Sequence, residues 1–76
     1  MHTARITGPE ILGMLLREGR LARGLSQRQL AERLGTSQRY VVELEQGKAV
    51  KAVERLFAYL QETGITLHAD IADDHD

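Results

Sequence analysis

Hydrophobic positions recur along the chain at two spacings, and the change from one to the other divides it. Leu12, Leu15 and Leu16 form a stripe at helical spacing. Pro9 suits the first turn of that helix, with Thr7 or Gly8 as its cap, and the helix ends at Gly24 after two arginines. Ser26 caps a second helix from Gln27 to Leu34, which buries Leu30, Ala31 and Leu34 and stops at Gly35. Ser37 caps a third helix, running through Gln46 and stopped by Gly47. A fourth spans Val50 to Thr63, with Val50, Val53, Leu56, Phe57 and Leu60 on one side and Gly64 as its stop.

Beyond Gly64 the period becomes two. Ile65, Leu67, Ala69 and Ile71 alternate with Thr66, His68 and Asp70, as in a half-buried strand. Nothing else reads as a strand, because Ala4 to Thr7 is too short to count as one. The chain thus divides into an N-terminal arm (1–8), a helical domain (9–64), a strand (65–71) and an acidic tail (72–76). The fold class is all-α with one short C-terminal strand.

A single strand cannot satisfy its own backbone groups and would be an open pairing edge. At 76 residues the domain is also small enough that a single core is marginal, and with no cysteine it has no disulfide to help. Both arguments point to a homodimer. Ile65, Leu67, Ala69 and Ile71 would pair with the same segment of a second subunit and pack onto the fourth helices.

Charge alters this picture only once its distribution is considered. The net charge is −1, yet four of the eleven carboxylates (Asp70, Asp73, Asp74, Asp76) lie in the last seven residues. From Arg17 to Lys51, eight basic side chains face four acidic ones, leaving a basic middle beside an acidic tail.

Two short helices joined by a tight glycine-containing turn, within Ser26–Lys48, describe a helix-turn-helix, whose second helix enters the DNA major groove. At about 100° per residue, Val41 and Leu44 point inward, while Gln38, Arg39, Val42, Glu43 and Gln46 share the opposite face. Arginine bonds guanine bidentately, glutamine bonds adenine, and valine contacts a thymine methyl. Glu43 fits this face less comfortably: it would accept from cytosine but repel phosphates, and its role stays open.

The segment GLSQRQLAERLGTSQRYVVELEQGK resembles the Cro/lambda-repressor type of helix-turn-helix, and the resemblance runs from about Leu12 to Leu60. It implies base contacts from Ser37, Gln38 and Arg39, and phosphate contacts from Gln27, Arg28 and Lys48. Arg20 and Glu45 look like the buried ion pair that ties the first helix to the end of the recognition helix in phage repressors. The layout as a whole is similar to HipB-type antitoxins, through Gly8-Pro9, RYVVELEQGK and the terminal GITLHADI. That resemblance implies a repressor reading double-stranded DNA at a palindromic operator, paired with a HipA-type serine/threonine kinase toxin whose operon it represses.

Other chemistries find little support. His2, His68 and His75 form no close ligand pair, so neither a metal nor a cofactor is expected. No nucleophile–base–orienter set is present, and the chain reads as a binder rather than an enzyme. The start of the chain lacks a basic-then-apolar leader and no apolar run reaches membrane-spanning length, so a cytoplasmic location is expected. Two rival readings stand beside the antitoxin: a solitary regulator of the same fold, and a protein-interaction module that does not bind DNA.

Overall fold

The computed structural model describes residues 2–48 and 51–72. Its elements in chain order are β1 (His2–Ile6), α1 (Pro9–Ala22), α2 (Gln27–Leu34), α3 (Gln38–Glu45), α4 (Lys51–Thr63) and β2 (Leu67–Ile71). Among the described residues, four helices thus accompany a two-stranded antiparallel sheet. The expected start of the fourth helix at Val50, and the tail from Asp73, lie outside the described residues.

Local chemistry explains the helix ends. Pro9 opens α1 behind Gly8, which has no side chain to cap with. Ser26 accepts from the Gln29 backbone N–H, and Gln29 returns the bond to the Ser26 backbone N–H, a reciprocal box that satisfies two donors at the start of α2. Gly35 ends α2 at φ 68°, a left-handed conformation that costs glycine nothing, and Thr36 N–H then bonds back to the Ala31 carbonyl. Ser37 caps α3 by accepting from Tyr40 N–H at 3.1 Å.

α3 is the hub. It packs on both α1 and α2, whereas α4 touches α1 more sparingly. Gly13 makes the α1–α3 contact possible. A Cβ there would lie 2.5 Å from the Leu44 carbonyl oxygen and 2.7 Å from that of Glu45, closer than any side chain tolerates. Among the described residues the buried apolar side chains are Ala31 and Val41, and no large side chain is completely enclosed.

The second strand is a correction to the sequence reading, which expected the C-terminal strand to find no partner in its own chain. β1 pairs with β2 antiparallel, Ile6 opposite Leu67, Ala4 opposite Ala69 and His2 opposite Ile71. Ala4, Ile6, Leu67, Ala69 and Ile71 are half-buried, and α1 packs against both strands. Thr3, Arg5, His68 and Asp70 take the wet face, where the Thr3 hydroxyl donates to the Asp70 carboxylate. The strand begins at Leu67, not Ile65. Ile65 N–H bonds to the Leu60 carbonyl at 3.0 Å, so it belongs to the stop of α4, and its side chain is half exposed.

Three leucines expected inside are exposed: Leu16, Leu34 (61%) and Leu56 (50%). α2 rests mainly on α3, so its burial reaches Leu30 and Ala31 but not Leu34. α4 has no buried residue; Val53, Phe57 and Leu60 are half-buried, and a cleft of about 580 Å³ stays open beside Phe57, Leu60 and Pro9.

Gly13→Ala should lower folding stability despite alanine's better helix propensity, which is worth about 1 kcal/mol. Both clashing atoms are backbone at the C-terminal end of α3, so relief requires α1 and α3 to move apart, and a net loss of about 1–3 kcal/mol is expected. Urea denaturation checks this; equal or greater stability would mean that α1 and α3 can separate.

Candidate nucleic-acid interface

The interface is built around one polar joint. Arg20, on α1, sends Nε to Glu45 Oε2 at 2.7 Å and Nη2 to Glu45 Oε1 at 2.9 Å, a side-on bidentate pair. Its Nη1 donates to the Leu25 carbonyl at 2.8 Å, which fixes the turn between α1 and α2. Gln27, the first residue of α2, donates from Nε2 to Glu45 Oε1 at 3.2 Å. The side chains of Arg20 and Glu45 are 7% and 4% exposed. One ion pair therefore ties together α1, the following turn, the start of α2 and the end of α3.

The electrostatics follow from that geometry. The hydrogen bonds from Arg20 hold the Glu45 carboxyl below the usual carboxylate range, against the opposing effect of burial, with Gln27 and the charges of Arg20 and Arg17 adding to the lowering. Arg20 is held above its ordinary value by its hydrogen bond to Glu45, again against burial. Among the described residues, no buried side-chain nitrogen or oxygen lacks a hydrogen-bond partner.

With its inner face committed, α3 presents the opposite one. Gln38, Arg39 and Gln46 are exposed, Val42 and Glu43 half-exposed. Arg39 Nε donates to Glu43 Oε1 at 2.9 Å, one turn along the same face. Ser37 stands exposed at the head of the helix, its hydroxyl oxygen engaged as the cap. Arg28 is exposed on α2 and lies 3.4 Å from Glu32. Lys48 is exposed just beyond α3, with its backbone N–H bonded to the Glu43 carbonyl. Gln27 is the exception among the expected phosphate contacts, since its amide is already turned toward Glu45.

Two residues escaped the sequence reading. Gln29 completes the capping box and had a signal, a Ser-x-x-Gln spacing at a helix start. Gly13 had a weaker one, a glycine inside an apolar helical stripe.

A helix-turn-helix family model of the Cro/C1 type matches residues 16–69, well over half of the chain. The chain belongs to this helix-turn-helix family, and it is a DNA-binding transcription regulator. No curated protein and no solved structure is similar enough to count as a match. Among the described residues, no helix is long and apolar enough to cross a membrane.

The joint yields a pH prediction. Because the folded-state pKa of Glu45 is depressed, its stabilising contribution is complete above the unfolded value of about 4.3 and is lost as pH falls through the lower folded value. Glu45→Gln should abolish that part of the acid sensitivity and, at neutral pH, cost on the order of 3–5 kcal/mol by leaving Arg20 buried without its counter-ion. Urea midpoints from pH 7 down to 3 test both; parallel profiles for wild type and variant would refute the coupling.

Proposed function

We propose that the protein is a homodimeric repressor that reads a palindromic operator and serves as the antitoxin of a HipA-type kinase encoded beside it. The observation that carries the DNA-reading part is the polar face of α3, exposed at Gln38, Arg39 and Gln46 and half-exposed at Val42 and Glu43, while the Arg20–Glu45 joint holds the opposite side. Ser37, Gln38, Arg39 and Val42 meet base edges, with Glu43 beside them on the same face; Gln27, Arg28 and Lys48 meet phosphates, Gln27 with the second N–H of its amide.

The lean interior supports the dimer. Each strand of a two-stranded sheet keeps one open edge, and such a ribbon is marginal alone. Joining the open edge of β2 to its copy about a two-fold axis would extend the sheet and cover more of Leu67, Ala69 and Ile71, with Ile65, Leu56 and Tyr59 exposed nearby in sequence. The same two-fold would set two recognition helices roughly 34 Å apart, one turn of DNA. The kinase partner rests on the likeness to HipB-type antitoxins in RYVVELEQGK and GITLHADI. Co-purification with a kinase-like product of a neighbouring gene tests it; a locus with no such gene leaves a solitary repressor.

Arg39→Ala should cost about 1–3 kcal/mol of operator affinity and relax preference at one base position per half-site. Lys48→Ala should weaken all duplexes alike and reduce the salt slope by roughly one unit. Fluorescence anisotropy over a salt series separates the two; an unchanged operator-to-random ratio for Arg39→Ala would displace α3 as the reading helix. Truncation after Gly64 should give a monomer by sedimentation, and a stable dimer in the truncated chain would move the interface to the helices.

A further inference from the structure

We propose that Glu43 is a positioning residue which presents Arg39 to guanine, rather than a base contact in its own right. This rests on α3 being the reading helix. Arg39 Nε is bonded to Glu43 Oε1 at 2.9 Å, and the two residues stand one helical turn apart. A guanidinium carries five N–H donors in a rigid plane. With Nε engaged on the helix side, the outer edge, formed by Nη1 and Nη2, keeps the paired donors that match guanine O6 and N7.

The Arg39 side chain is 87% exposed and that of Glu43 34%. In water such an exposed pair contributes little to stability, so stability is not its purpose. A free arginine, however, must surrender rotamer entropy when it docks. The Glu43 contact removes part of that cost before DNA arrives, and the pair strengthens as the groove excludes water.

The carboxylate also imposes discrimination. Facing phosphates, Glu43 is repulsive on every sequence, and the repulsion is offset only while Arg39 stays beside it. Opposite guanine, Arg39 keeps both partners. Opposite another base it either stays with Glu43 and makes no base contact, or leaves and exposes the carboxylate to the backbone. Guanine is thereby favoured by attraction and its competitors penalised by repulsion.

The test is selection from a duplex pool with a randomised core of about 20 base pairs, two turns of the helix. It uses the full chain as wild type, Glu43→Gln, Arg39→Ala and the double variant. Wild type should enrich guanine at one position per half-site. Glu43→Gln should reduce that enrichment about two- to fivefold, the range expected for losing one exposed ion pair, while binding random duplex more tightly. Arg39→Ala should abolish the preference, and adding Glu43→Gln to it should change nothing further at that position. Melting temperature should not move, which separates positioning from a structural role.

Undiminished guanine enrichment in Glu43→Gln would overturn the proposal. So would a cytosine preference that is lost on Glu43→Gln even with Arg39 already removed, since Glu43 would then read a base directly. Arg39→Ala retaining the wild-type preference would overturn the assignment of α3 as well, which marks that failure as the deeper one.

Discussion

Glu45 accepts three hydrogen bonds from side chains on two other helices, and the orientation of everything that could touch DNA depends on it. In a larger domain an apolar core would set the angle between α1 and α3. Here the buried apolar residues among those described are an alanine and a valine, too little hydrocarbon to distinguish one packing angle from its neighbours. A bidentate ion pair does distinguish them, because its two bonds form together only in one plane. Taking both charges out of water is expensive, and a hydrocarbon pair of equal volume would often stabilise as well. What the ion pair supplies is direction. Arg20 makes a further bond, donating from Nη1 to the Leu25 carbonyl, which extends that control into the turn that launches α2.

The division of labour on α3 follows. Val41 and Glu45 are spent inward, so the outward residues are relieved of any packing duty and can be chosen for what they meet in a groove. Gln27 shows the two roles overlapping. Its amide steadies Glu45 from the first turn of α2, so a side chain suited to a phosphate also belongs to the joint that aims the helix.

The fold class was legible because helix boundaries are written locally. Ser26, Ser37, Gly35 and Gly64 act within three or four residues, and the two-residue period of Leu67–Ile71 is equally local. What could not be read is what lies across space. β1 has five residues with alternation too brief to stand out, and only its register against β2 makes it a strand. Leu16, Leu34 and Leu56 fall on apolar faces, yet periodicity reports which way a side chain points and not whether anything covers it. Gly13 is explained by two carbonyl oxygens some thirty positions away. At the interface, the exposed face of α3 followed from the helical wheel, whereas the bond from Arg39 to Glu43 went unread, although four residues is the spacing at which opposite charges meet along a helix.

The β1–β2 ribbon also sets an order of events in time. Thr3 and Asp70 meet across sixty-seven positions of chain, whereas α2 and α3 meet within about twenty. Loop-closure entropy rises with the logarithm of the intervening length, and five pairs of residues are a small return for closing so long a loop. Loop closure therefore favours a path in which the helices form first and bring the two strands together. For a subunit without its partner, the same reasoning makes the ribbon the first element to open, ahead of α1, α2 and α3. In a lone subunit its amide protons exchange with solvent ahead of those in the helices, and α3 outlasts the sheet.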